Sequence, residues 1–191
     1  EKMDLDNLEV FHNLDPQDML AAIDGLPGQL EQAYTLGSGL LLSPLKPVKQ
    51  LVVAGMGGSA IGADLLAACL ADRMRIPFIV HRDYDLPAFA SGEETLVVVS
   101  SHSGNTEESL SAFEMACQRG CQVAAITTGG RLQQLAEQAG APAWIFNHIG
   151  QPRTAVGFSF GLLLRMLERS GLISDLGAEV VEAVKVMTTL Q

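Results

Sequence analysis

The amino-acid sequence predicts an α/β fold, a three-layer αβα sandwich around a five-stranded parallel sheet, preceded by an N-terminal helical extension. Three observations lead there. From residue 48 onward, short apolar runs alternate with longer segments of helical periodicity, the pattern of βαβ units. The short runs are almost uniformly apolar or β-branched, as strands buried on both faces are. With 48% hydrophobic and 18% charged residues in 191, the chain has material for a substantial core, and its length suits one domain on the scale of about 150 residues each.

Residues 1–47 read as helical. Asp15-Pro16 has the form of a cap followed by a first helical residue, and a second pattern runs through Leu30, Ala33, Tyr34 and Leu41 until Ser43-Pro44-Leu45-Lys46-Pro47 ends it. Strands are expected at 50–54, 77–80, 95–100, 122–127 and 143–146, with helices at 59–72, 105–119, 131–139 and 154–170. These define a domain over 48–171, in which the run Phe158 to Leu163 is expected in the core. Residues 172–191 read as an amphipathic helix with Leu176, Val180, Val181, Val184 and Met187 on one face and no Gly, Pro or cap to stop it. That open end, with a start at Glu1 and not Met, creates the expectation that the natural chain continues.

Composition excludes several functions. Twelve Lys and Arg against twenty-two Asp and Glu give a formal charge of -10, so nucleic acid would be repelled. The longest apolar run, 155–164, is broken by Gly and Ser and closed by Arg165, short of the roughly 20 residues a membrane span needs. The first residues show no secretory signal. Cys69, Cys117 and Cys121 lack a metal-binding spacing, and their odd number suits reduced thiols, read as small buried hydrophobes in a cytoplasmic protein without metal or organic cofactor.

In open parallel sheets ligands bind beyond the carboxyl ends of the strands, and two loops there stand out. The first, Gly55-Met56-Gly57-Gly58-Ser59-Ala60-Ile61-Gly62, opens a helix whose free N–H groups and dipole attract an anion. The second, from Ser100 to Glu108, sets four hydroxyls within seven residues beside another helix start, a neutral cradle for phosphate oxygens. Two such loops side by side point to one phosphorylated ligand. A plainer reading treats Asn105 and Glu108 as a capping box. A competing one treats Gly55-x-Gly57-x-x-Ala60 as a dinucleotide fingerprint, with Asp83 near the ribose and Arg82 beside it making that contact ambiguous.

The combination of GMGGSAIG at 55–62, SSHSGNTEE at 100–108 and QPRTAVGFSFG at 151–161 resembles the sugar isomerase (SIS) domain, and within it the first half of the bifunctional phosphoglucose/phosphomannose isomerases. The resemblance implies that Ser59, Ser101, Ser103 and Thr106, with backbone from Gly57 and Gly58, hold the phosphate of a sugar phosphate. It implies that Arg153 stabilises the enediolate formed as glucose 6-phosphate, or mannose 6-phosphate, converts to fructose 6-phosphate. A permanently charged guanidinium with two parallel donors suits that role. His102 stands where the family often has Tyr. In the family the Glu base and the ring-opening His come from a second SIS domain, and nothing in residues 1–191 matches either. Partners implied are therefore a second SIS domain and a homodimer mate. Two alternatives stay open, a sugar-phosphate-sensing SIS domain of a transcription regulator, for which the acidic first 47 residues make a poor helix-turn-helix, and the dinucleotide reading. His12, His81 and His148 lack a motif and are expected to be structural or solvated.

Overall fold

A computed structural model describes residues 13–191. Five strands, β1 (Gln50–Gly55), β2 (Phe78–His81), β3 (Thr95–Ser101), β4 (Gln122–Thr127) and β5 (Ala143–Ile145), form one sheet in the order β2-β1-β3-β4-β5. All four pairings are parallel. β3 lies at the centre and is buried along its whole length. Each expected strand is present with ends shifted by at most one residue, because runs buried on both faces are bounded by the turns that release them.

The pleat divides the core in two. Leu51, Val53, Leu96, Val98, Ala124 and Ile126 face one layer, while Val52, Ala54, Val97, Val99 and Ala125 face the other. The first layer is made by α2 (Leu26–Gly39), α3 (Gly57–Cys69), α6 (Val156–Arg169) and α7 (Gly177–Thr189), the second by α4 (Glu107–Gln118) and α5 (Gly130–Ala139). A short α1 (Met19–Asp24) precedes α2, and a 3₁₀ turn at Pro152–Thr154 leads into α6. Phe158, Leu162 and Leu163 are buried, as the apolar run predicts.

The N-terminal helices are built into the first layer. Leu30 and Ala33 of α2 lie in the core, and the Trp144 indole, fully buried, donates to Leu41 O at 2.8 Å. Arg165 fastens three segments: its Nη1 donates to Tyr34 OH (3.0 Å), Glu168 Oε2 (2.8 Å) and Asp175 Oδ2 (3.0 Å), and the guanidinium stacks 4.7 Å over the Tyr34 ring. Burial beside the Glu168 carboxylate pushes the Tyr34 hydroxyl up to about 12.

Four local expectations are corrected. Asp15-Pro16 does not open a helix. Pro16 sits in a turn, and α1 begins at Met19 with Asp18 as its cap, the Asp18 carboxylate accepting from Ala21 N. Leu41 lies past the end of α2 and is exposed. Val181 is 70% exposed, because α7 turns only Val180 fully inward, with Leu176 buried just ahead of it. The cysteines are not fully buried: Cys69 and Cys117 are exposed near the ends of α3 and α4, and Cys121, just ahead of β4, is half-buried against the second layer. All three are free thiols. Among the described residues, no helix is long and apolar enough to cross a membrane.

Leu162 sits at the centre of α6 with no exposed surface. Leu162→Ala is expected to lower unfolding free energy by about 2–5 kcal/mol, read from the midpoint of urea denaturation at unchanged slope.

Candidate functional site

The strand order creates a switch point. From β1 the chain crosses through α3 to β2 on one side, then returns to lay β3 against the other side of β1, so the loops leaving β1 and β3 diverge above the sheet and open a crevice. The register sets Gly55 opposite Ser100, so the glycine loop and the hydroxyl loop leave at the same level. Ser101 stands opposite Thr127, which brings in the loop after β4.

Three helices start at this edge, and in none does the N-cap residue's own side chain cap the first turn; only α3 and α4 leave their first-turn amides open. Met56 precedes α3, Thr106 precedes α4 and Gly129 precedes α5, each without a capping hydrogen bond. First-turn amides left open, with the dipoles behind them, are the standard protein device for holding an anion. The capping-box reading is thereby corrected. Asn105 does not cap α4: its Oδ1 accepts from Arg131 N at 3.0 Å and its Nδ2 donates to Ser103 O at 3.1 Å, tying the hydroxyl loop to the start of α5. Glu107 and Glu108 occupy the first turn of α4, where their charges favour the helix but compete with an anion, and Glu107 Oε2 accepts from Tyr84 OH at 3.0 Å.

The loops interlock through hydroxyls. Ser59 Oγ accepts from His102 N at 3.0 Å, joining the first loop to the second. Ser101 Oγ accepts from Gly104 N and donates to Thr106 Oγ1, both at 3.1 Å. Ser103 Oγ accepts from Asn105 N at 3.2 Å in an exposed turn. Ser101 is thus spent on bracing the loop, whereas the Ser103 and Thr106 hydroxyls keep donors free for a ligand. Thr128, in a third loop that sequence reasoning passed over, donates from Oγ1 to His102 O at 2.6 Å. The signal existed in Thr127-Thr128-Gly129-Gly130, hydroxyls and glycines between a strand and a helix, but it lacked the density of the second loop.

Gly58 brings Arg153 into the group. A Cβ on Gly58 would lie 2.6 Å from Pro152 O and 2.7 Å from Arg153 N, so the glycine loop rests directly on the backbone that carries Arg153. The Arg153 side chain is exposed and forms no hydrogen bond with any described residue. Gly57, Gly58, Ser59, Ser101, Ser103, Thr106 and the Arg153 backbone therefore belong to adjoining loops at one edge of the sheet, although they lie up to 96 positions apart in the chain.

The model of the SIS domain family matches residues 45–142. The chain belongs to the SIS domain family. It is 41% identical over 174 residues to the bifunctional phosphoglucose/phosphomannose isomerase of Caldicellulosiruptor bescii, a match covering 91% of this chain and 51% of that protein. The protein of the same name from Aquifex aeolicus is 39% identical over 147 residues, covering 72% and 46%. The chain thus spans about half the length of the curated relatives it matches. Among solved structures, tagatose-6-phosphate ketose/aldose isomerase from Escherichia coli superposes with a TM-score of 0.58 at 20% identity, covering 89% of this chain and 53% of that one, which shows a shared fold.

Two histidines of this SIS domain that lack a motif make contacts within the fold. His81 is structural, its Nε2 lying 3.4 Å from Tyr84 O, and His12 lies outside the described residues. His148 is not solvated at random: its Nδ1 is 2.9 Å from His102 Nε2, and both rings pack on Phe158 or Phe146 at the rim of the crevice. Forty-six positions separate the two histidines, so no local pattern could have paired them. Asp83, proposed for a ribose under the dinucleotide reading, accepts from Tyr84 N at 2.8 Å, and Arg82 pairs with Asp64.

The tight fit of the second loop is testable. Gly104 and Gly140 share a φ of +65°, but a Cβ at Gly104 would fall 1.8 Å from Gly129 O whereas one at Gly140 meets nothing within 4 Å. Gly140→Ala is expected to cost only the left-handed backbone strain of about 1–2 kcal/mol. Gly104→Ala should cost clearly more in the same urea titration, because the loop must also move away from β4–α5.

Proposed function

We propose that this SIS domain is the phosphosugar-anchoring half of an aldose–ketose isomerase that interconverts glucose 6-phosphate, and mannose 6-phosphate, with fructose 6-phosphate. The observation that carries the reading is the crevice edge itself, where the uncapped starts of α3 and α4 and the free Ser103 and Thr106 hydroxyls lie on loops beside the Arg153 backbone. The relatives at 41% and 39% identity, each named as a bifunctional phosphoglucose/phosphomannose isomerase, support the choice of substrates.

In this reading the phosphate sits on the α3 and α4 amides with Gly57, Gly58, Ser59, Ser103 and Thr106 around it, while Ser101 holds the loop in shape. A dianion there is governed by local dipoles and hydrogen bonds and not by the net charge of -10, which solvent screens over a Debye length of about 8–10 Å. Arg153 then faces the sugar, where negative charge develops on the C1 and C2 oxygens as the enediolate forms. Moving the proton between C1 and C2 also needs a base, and opening the ring needs an acid–base group. Neither Glu107 nor Glu108 is given that task, and we assign both steps to a second SIS domain of the complete enzyme, working in the cytoplasm and paired as a homodimer. Exposed Ile61 and Leu65 on α3 favour such pairing.

Calorimetric titration of the 191-residue chain with fructose 6-phosphate, glucose 6-phosphate and NAD in parallel, beside a coupled isomerase assay, tests the reading. Hexose phosphates should bind without turnover. NAD binding in their place would favour a dinucleotide domain, and turnover would mean that the base lies within these residues. Ser103→Ala or Thr106→Ala should each weaken hexose-phosphate binding by about 1–3 kcal/mol, the worth of a hydrogen bond to a charged group. Arg153→Ala in the complete enzyme should lower kcat far more than it changes KM, as loss of a contact made mainly in the transition state does. An unchanged kcat would take Arg153 out of the mechanism.

A further inference from the structure

The segment 147–150 has almost nothing to hold it. It is irregular, Asn147 and Ile149 point into solvent, with Ile149 wholly exposed, and it leads directly into the turn that carries Arg153. Among the described residues, the side-chain hydrogen bonds of these four positions all come from His148. Its Nδ1 meets His102 Nε2 at 2.9 Å, and its Nε2 makes a long 3.5 Å contact with Thr154 Oγ1.

The network assigns the protons. Thr154 Oγ1 already donates to Gln151 O at 2.8 Å, so it offers His148 only a lone pair, and the His148 proton belongs on Nε2. His148 Nδ1 is then bare and accepts from His102 Nε2–H. His102 is fixed at its own end, because its backbone N donates to Ser59 Oγ and its carbonyl accepts from Thr128 N and Oγ1. Phe146, from the end of β5, and Phe158, from α6, stack on each other at 5.0 Å and wall in both rings.

We propose that His102 and His148 are positioning residues, a ring-to-ring latch that holds the 147–153 segment against the hydroxyl loop so that Arg153 stands at a fixed distance from an anchored sugar phosphate. The inference rests on the phosphosugar reading for its ligand but on the latch geometry for its existence.

The latch requires a neutral acceptor, and its surroundings supply one. Burial lowers both imidazoles below their ordinary 6.5, and His102 is lowered further by His148, the only charge that acts appreciably on it. The faces around the pair are Phe146 just past β5, Phe158 on α6, Ser59 on α3 and the Thr128 and Thr154 hydroxyls. No carboxylate among the described residues offsets a second proton. The sign follows: a histidine lowered in the fold stabilises it fully above pH 6.5, and that stability is lost as pH falls from there through the lowered values.

The test compares ligands that do and do not reach Arg153. His148→Phe keeps the ring against Phe158 and removes the hydrogen bond, whereas His148→Asn retains an acceptor near the Nδ1 position. With folding checked by calorimetric melting, His148→Phe should bind 6-phosphogluconate, whose C1 carboxylate carries negative charge where the enediolate does, about tenfold more weakly and inorganic phosphate within twofold of the parent, and His148→Asn should recover most of the loss. Equal weakening of both ligands, no change in either, or no recovery with Asn would overturn the latch. Long-range ¹H–¹⁵N spectra of the unmodified, ligand-free chain give an independent readout should His148→Phe not fold. They should show both histidines protonated at Nε2 and titrating as a coupled pair below pH 6.5. An Nδ1-protonated His148, or two independent titrations near 6.5, would overturn the latch as well. If the unmodified chain bound no hexose phosphate, the phosphosugar reading would fall while these spectra still decided the latch.

Discussion

The pairing of β1 with β3 is the constraint on which the rest of the site depends. β1 is flanked on one side by the strand that follows it and on the other by a strand that arrives only after a return crossing, so two loops from distant parts of the chain rise from adjacent strands at matched height. The crevice between them is forced by topology and not by any side chain. Extending the sheet to β4 adds the third loop, through the pairing of Ser101 with Thr127 and the hydrogen bond from Thr128 to the His102 carbonyl.

Within that frame, hydroxyls have two separate duties. Ser59 and Thr128 bond to a neighbouring loop and Ser101 braces its own, while Ser103 and Thr106 leave a donor for a guest. Helices α3 and α4 forgo the side-chain cap that usually satisfies a first-turn amide, at a typical cost of about 1 kcal/mol apiece, whereas Asn105 Oδ1 already takes Arg131 N of α5. A bound anion would supply the missing partner, which is how stability given up at a site is converted into affinity.

The fold was legible because strands buried on both faces leave a strong compositional signal, and β4 was located to the residue from Gln122-Val123-Ala124-Ala125-Ile126-Thr127. The two loops beyond β1 and β3 were legible as candidates because glycines and hydroxyls cluster there between a strand and a helix. Local expectations failed where a competing contact was out of sight along the chain. Asn105 had every mark of a capping residue, but Arg131 N, brought in by the β3–β4 pairing, took its carboxamide instead. Cys69 and Cys117 looked like core residues by their apolar neighbours, yet the ends of α3 and α4 turned them outward.

By itself the sequence determined the layer architecture, the order of elements and the chemistry of the loops, because those follow from periodicities and residue types within about a dozen positions of one another. Only the tertiary structure decided which hydroxyls brace and which remain free, that Gly58 must carry the Arg153 backbone, and that His102 meets His148. The physical reason is the same in each case. A hydrogen bond or a close approach is specified by position to within a few tenths of an ångström, and between residues 46 or 95 apart that position is set by strand order and register, which no stretch of sequence contains alone.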